Sequence, residues 1–217
     1  MKLYQIYFLL TISSIYSFNL RQTKQSYDSY VFALQWPNGI CSSSSCPSSV
    51  QSLEKNIFII HGLSPTLING QQLRDCTSGI QVRSSNSALF NDMNKYWPSL
   101  QTSNEAFWTH EYNKHGYCMV EEKGWSGYEN YFSFVMSLYK NGYKYLMQNA
   151  ISERKTVTLS YEEIKRRIGR IIPNATFKMN CKNKVLNEIY FYLDKNMKPS
   201  TRSRFSNSCS TATIIFK

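Results

Sequence analysis

The sequence predicts an α+β fold, and three observations carry that expectation. Candidate strands and helices are mixed along the chain without the regular alternation of a βαβ series. With 217 residues, 42% of them hydrophobic and 18% charged, the chain can build one domain around its own core and is neither disordered nor collagen-like. Six cysteines, an even number, suit an oxidising compartment and three disulfides.

The elements follow in chain order. Residues 1–17 have a lysine at position 2, an apolar run from Leu3 to Ile12 and small residues at Ser13, Ser14 and Ser17. That is the grammar of an export signal, with a buried first element as the alternative, and it leaves residues 18–217 as a single domain. The apolar stretch is too short for a membrane span, and no later run reaches the required length. Tyr27 to Trp36 is aromatic and β-branched, hence a strand, ending in the turn signal Pro37-Asn38-Gly39. Cys41 to Ser52 is a serine-rich loop in which Cys41 and Cys46 are near enough to pair. Asn56 to Leu63 is a continuous apolar run, expected as a buried strand closed by Pro65. Gly70 to Ser87 is polar and loop-like. Ala88 to Tyr96 predicts a helix stopped before Pro98. Glu105 to Cys118 has a helical middle. From Tyr128, apolar residues at Tyr131, Phe132, Val135, Leu138 and Tyr139 follow a helical period that Gly142 interrupts. Ser160-Tyr161-Glu162-Glu163 is a capping box ahead of Ile164, Ile168 and Ile171, with Pro173 as the stop. Thr176 to Met179, Leu186 to Leu193 and Ala212 to Phe216 are strand candidates. Asn174-Ala175-Thr176 is a glycosylation sequon in an exported chain.

Charge is uneven. The net charge is +11, and residues 151–217 hold 14 Lys/Arg against 5 Asp/Glu. Such a lobe concentrates polyanions, although solubility or adhesion to anionic surfaces would use the same charge. Lys165, Arg166, Arg167 and Arg170 fall on the solvent side of the 160–171 helix, where they are candidate RNA contacts.

Two of the three histidines lie in His110-Glu111-Tyr112-Asn113-Lys114-His115, and the third, His61, ends the run IFIIH. On a regular helix His110 and Lys114 are i,i+4 neighbours, as are Glu111 and His115. That spacing predicts a Glu111–His115 pair, opposed by Lys114 and His110, holding the imidazole near its free pKa of about 6.5. Zinc is a poor fit. An H-E-x-x-H helix needs histidines four apart, whereas these are five apart and Lys114 fills the fourth position. No G-x-S-x-G elbow is present, and Cys118 is expected in a disulfide. Two imidazoles, a carboxylate and a lysine beside a basic lobe suit metal-free phosphoryl transfer. One imidazole takes a proton from a hydroxyl, another gives one to the leaving oxygen, and cations stabilise the charge on phosphorus. RNA supplies that hydroxyl itself as its 2′-OH.

At these residues the chain resembles the ribonuclease T2 family, the acid and S-type endoribonucleases. Phe58-Ile59-Ile60-His61-Gly62-Leu63-Ser64-Pro65 is similar to that family's first active-site segment. Phe107-Trp108-Thr109-His110-Glu111-Tyr112-Asn113-Lys114-His115-Gly116-Tyr117-Cys118 is similar to its second. Leu34-Gln35-Trp36-Pro37, Tyr96-Trp97-Pro98-Ser99-Leu100 and Leu186-Asn187-Glu188-Ile189 support the likeness. The resemblance implies His115 as general base on the 2′-OH and His61 as general acid for the 5′-oxygen. It implies His110 as a phosphate ligand, and Glu111 with Lys114 as stabilisers of the transition state. It further implies a 2′,3′-cyclic phosphate opened to a 3′-phosphate, no metal or other cofactor, and a central antiparallel sheet flanked by helices. The implied disulfides are Cys41–Cys46, Cys76–Cys118 and Cys181–Cys209. The implied partner is single-stranded RNA and not DNA. The protein is expected to be a monomer, exported or held in a lysosome- or vacuole-like compartment.

Ser64 stands where the family usually has a tryptophan that stacks on a base, a contact worth about 1–3 kcal/mol. Ser64 and Trp36 are the candidate base-contacting positions, Trp36 competing with a plain core role, which Trp97 and Trp108 are also expected to fill. The alternative function is a binding protein or cytotoxin of the same fold with weak or altered catalysis.

Overall fold

The computed structural model describes residues 26–48, 50, 53, 56–67, 71–77, 79–146, 156–200, 208–209 and 212–216. The signal assigned to residues 1–17 lies outside them. Strands β1 (Ser29–Gln35), β2 (Ile59–Thr66), β3 (Val157–Leu159), β4 (Phe177–Lys182), β5 (Val185–Asp194) and β6 (Ile214–Phe216) form one sheet. Its order is β2-β1-β5-β6-β3, with β4 also on β5. The pairings are antiparallel except at β5–β6, which meet in parallel at Val185 and Ile215. This is the expected α+β architecture.

The middle of the sheet is buried on both faces. In β1 the residues between Ser29 and Gln35 are all buried, as a strand covered on each side must be. The helices are α1 (Pro37–Cys41), α2 (Ala88–Tyr96), α3 (Asn104–Glu111), α4 (Tyr117–Lys123), α5 (Tyr128–Leu138) and α6 (Tyr161–Ile171). Helix α2 has the predicted bounds, and Ser87 caps it by accepting from the Phe90 amide. An aromatic cluster of Trp97, Trp108, Tyr112, Tyr131 and Phe132 joins α3 to α5. Within it Trp108 Nε1 donates to the Trp97 carbonyl at 2.8 Å.

Several expectations change in detail. Pro37-Asn38-Gly39 opens the short helix α1 instead of a simple turn, Pro being pre-set for a first helical position. Strand β2 continues through Pro65 to Thr66. Gly142 does not end α5; the helix widens into a π turn at Tyr139–Tyr143. At α6, Ser160 accepts from the Glu163 amide, but the Glu163 carboxylate turns outward to Arg166 and Arg167, so the capping box is one-sided. The three disulfides join Cys41 to Cys46, Cys76 to Cys118 and Cys181 to Cys209.

Candidate active site

A cavity of about 680 Å³ opens where the rim of β2, β1 and β5 meets α3; His61, His110, Glu111, Phe107, Gln35 and Glu188 line it. Two β-bulges shape this rim. Between β1 and β2 the register passes from Ala33–Gly62 to Leu34–Ile60, leaving His61 as the extra residue. Between β4 and β5 it passes from Asn180–Glu188 to Cys181–Leu186, leaving Asn187 as the extra residue. An extra residue re-aims its side chain, which is why bulges recur beside active sites. Trp97 secures the first bulge, its Nε1 donating to the His61 carbonyl at 2.8 Å.

Helix α3 carries Phe107, His110 and Glu111 on one face, as i,i+3 and i,i+4 spacing requires. After Glu111 the backbone widens into a π turn, Tyr112–Gly116, before resuming as α4. The segment from Leu73 to Cys76 is stitched to this turn at three points. The Asp75 amide donates to the Lys114 carbonyl at 2.8 Å, His115 Nδ1 meets the Leu73 carbonyl at 3.2 Å, and Cys76 is bonded to Cys118.

The π turn overturns the expected Glu111–His115 pair. A turn with i→i+5 bonding rotates less per residue than an α-helix, so i,i+4 neighbours no longer eclipse. Glu111 instead faces His61, with Oε1 3.8 Å from Nε2. The charges bearing on His115 are all cationic, from Lys114, His61 and His110. Burial above all, with those cations adding to it and the Leu73 hydrogen bond opposing, pushes His115 down to about 4, rather than leaving it near the free value. A carbonyl only accepts, so Nδ1 of His115 carries the proton and Nε2 the lone pair.

His61 is shifted the opposite way. Burial lowers its pKa, but the hydrogen bond to Glu188 and the charges of Glu111 and Glu188 outweigh that and raise it. Its Nδ1 lies 2.7 Å from Glu188 Oε1. Glu111, 3% exposed, is pushed up to about 7 by burial, with His61 and Lys114 opposing. His110 is exposed at the mouth and lowered by partial burial and by Lys114 and His61.

Thus His61, His110 and Glu111 line the cavity, while Lys114 and His115 flank it on the π turn. The two candidate base contacts do not reach it. Trp36, 2% exposed, packs on Phe58 and Phe216, and Ser64 is buried at 6% within β2, opposite Val31. Phe107 supplies the aromatic face instead, its ring 6.0 Å from that of His61. Gln35 and Asn187 also line the cavity, and Gln35 Oε1 and Asn187 Oδ1 are buried without hydrogen-bond partners among the described residues. The basic face of α6 contributes no residue to the cavity, where Lys182 provides a cation from β4. Sequence reasoning missed Gln35, Phe107, Asn187 and Glu188 as site residues. For Glu188 there was a signal: a lone carboxylate inside the apolar run VLNEIYFYL.

The fold and this cleft define a class of α+β proteins in which histidines and carboxylates face one another at the rim of a mainly antiparallel sheet. The Ribonuclease T2 family model matches residues 27–207, and the chain belongs to that family. It is 30% identical to Ribonuclease Rh of Rhizopus niveus over 177 residues, 71% of this chain and 73% of that one. It is 36% identical to Ribonuclease DdI of Dictyostelium discoideum over 94 residues, 43% of this chain. The matched stretch spans 41% of Ribonuclease DdI and 48% of Ribonuclease MC of Momordica charantia, less than two thirds of either relative. Among solved structures, RNase NT in complex with 5′-AMP superimposes with a TM-score of 0.72 at 25% identity, covering 88% of this chain and 98% of that one. A mutant of RNase MC1 in complex with 5′-GMP gives 0.70 at 26% identity, covering 87% and 100%.

Proposed function

We propose that this chain is an exported or lysosome/vacuole-type endoribonuclease that cleaves single-stranded RNA by metal-free transesterification. The observation that carries the proposal is the opposite tuning of its two histidines. His115 is neutral at and above mildly acidic pH with its lone pair on Nε2, and so suits a general base. His61 is held toward its protonated form with Nε2 on the Glu111 side, and so suits a general acid.

In the first step His115 Nε2 takes the 2′-OH proton, O2′ bonds to phosphorus, and the P–O5′ bond breaks as His61 protonates O5′. The products are a 2′,3′-cyclic phosphate and a free 5′-OH. In the second step His61 takes a proton from water, the water oxygen bonds to phosphorus, and the P–O2′ bond breaks as His115 protonates O2′, giving a 3′-phosphate. Lys114 and His110 offset negative charge on the phosphoryl oxygens, and Glu111, poised near neutrality, accepts or shares a proton there. Phe107 stacks a base, and the Gln35 and Asn187 side chains, whose amide oxygens lack a partner among the described residues, read its edge. Complexes of RNase NT with 5′-AMP and of an RNase MC1 mutant with 5′-GMP support a nucleotide as occupant. Removal of residues 1–17 on export, glycosylation at the exposed Asn174 and action as a monomer complete the proposal.

The test is digestion of a uridine-rich RNA by purified protein in EDTA, beside His61→Ala and His115→Ala. Cyclic phosphate ends from wild type, with each variant slower by about 10²–10⁴-fold, are expected. Folded wild-type protein that cleaves nothing between pH 4 and 8 would instead support the binding-protein reading.

A further inference from the structure

The neighbours of His61 on the sheet side have a use that the proton-transfer roles leave unassigned. Glu188 sits on β5, two strands away from His61 on β2, with β1 between them. Their side chains meet over β1, where Ala33 stands in register with Gly62 on one side and Tyr190 on the other. The Glu188 side chain is only 12% exposed. A carboxylate that buried must be matched by donors or it will not remain ionised. Oε1 receives His61 Nδ1 at 2.7 Å, and Oε2 receives the Tyr190 hydroxyl and Asn180 Nδ2, the latter at 3.4 Å.

The support has a further layer. Ser208 Oγ donates to Asn180 Oδ1 at 2.9 Å, fixing which end of that amide faces Glu188. Ser208 is itself held against β4 by its backbone amide, which donates a hydrogen bond to the Met179 carbonyl at 3.2 Å, and by the adjacent Cys181–Cys209 disulfide.

We propose that Glu188 is a positioning residue for the proton donor: it fixes the His61 ring with Nδ1–H on the sheet and Nε2 on the cleft, and Asn180, Ser208 and the Cys181–Cys209 disulfide hold it in place. This rests on the reading of His61 as general acid. An ionised carboxylate can only accept, so it dictates the tautomer as well as the orientation of the ring. Burial alone would raise its pKa, but the three donors outweigh that and hold Glu188 down to about 2, so it stays charged across the working range.

The groups around His61 define what Glu188 adds. From β5 come Glu188 and the Tyr190 hydroxyl; from α3 come Glu111 and His110; from the π turn come Lys114 and His115. Glu111 is the other carboxylate, and it is half-protonated near neutrality. Without the Glu188 charge, burial and the Lys114 charge are opposed only by Glu111, and His61 loses its proton earlier as pH rises. A carboxamide at 188 would still accept from Nδ1–H, preserving the tautomer while removing the charge. Glu188→Gln therefore separates the two contributions, and Glu188→Ala removes both.

The experiment measures the kcat/KM–pH profile and, independently, the His61 ¹⁵N titration by NMR for wild type, Glu188→Gln, Glu188→Ala and Asn180→Ala. In Glu188→Gln the alkaline limb and the His61 titration should both move at least one pH unit lower, with kcat at pH 5 within about threefold of wild type. Glu188→Ala should lose kcat at every pH with KM little changed. Asn180→Ala should move the titration in the same direction by less. A support that only stabilises the fold would lower the melting temperature and leave the titration in place, and that result overturns the proposal. If wild type cleaves no RNA, the ribonuclease reading fails, yet the His61 titration still decides the part played by Glu188. An unfolded Glu188→Ala decides nothing against the isosteric Glu188→Gln, on which the proposal stands or falls.

Discussion

Gly62→Ala is the sharpest steric test of the cleft. Gly62 follows His61 on β2, and a Cβ built on it would lie 2.1 Å from Glu111 Oε2 and 3.2 Å from its carboxyl carbon. Ordinary contact begins near 3.4 Å, so the carboxylate must retreat by more than an ångström. Its backbone φ is not in the left-handed region, so alanine carries no conformational penalty there and the effect is the collision itself. Glu111 cannot swing freely, being buried at the end of α3. Overpacking of this kind costs about 1–3 kcal/mol of stability. A displacement of about 1 Å in a catalytic group costs on the order of 10²-fold in rate. Dinucleotide cleavage at pH 5, read beside a thermal melt, would show kcat down by about two orders of magnitude in a protein that still folds. A folded variant with wild-type kcat would mean that the Glu111 carboxylate does not participate where it stands.

Two further outcomes follow from the same geometry. Glu111 has a folded pKa of about 7 against an unfolded value near 4.5, so its contribution to stability is full below the unfolded value and is lost as pH rises through 7. Glu111→Gln removes that liability, and the variant should gain on the order of 3 kcal/mol relative to wild type between pH 4 and 8, measured by urea unfolding at each pH; an equal difference at both ends would refute it. Replacing both Cys76 and Cys118 by serine frees a loop of sequence separation 42. In the chain-entropy treatment that costs about 4 kcal/mol, and a loss under 1 kcal/mol would show the stitched segment to be held by its hydrogen bonds alone.

Local chemistry made much of the fold legible. Ser87 and Pro98 bracket α2, and Ser160 starts α6, because caps and prolines act on their immediate neighbours. The placement of His61, His110 and Glu111 in one cleft was expected from the motif resemblance. What escaped was whatever breaks a period. A π turn is invisible to reasoning at 100° per residue, and it moved Glu111 from His115 to His61. A bulge is invisible to strict alternation, and two of them place His61 and Asn187. Glu188 acts across two strands, a proximity that only register reveals. Trp36 and Ser64 lie buried away from the cavity lining, because a position in a motif says nothing about which face of the sheet its side chain takes.

The proposed acid is anchored in the sheet, at the β2 bulge, whereas the proposed base is anchored in the helical layer, at the turn after α3. No single element holds both. A state with native helices and strands but loosened packing between the layers would therefore keep its far-ultraviolet dichroism and lose its turnover. Enzymatic rate in this molecule thus doubles as a gauge of how firmly its two halves are seated on one another. In mild denaturant it should vanish ahead of secondary structure wherever such a state is populated.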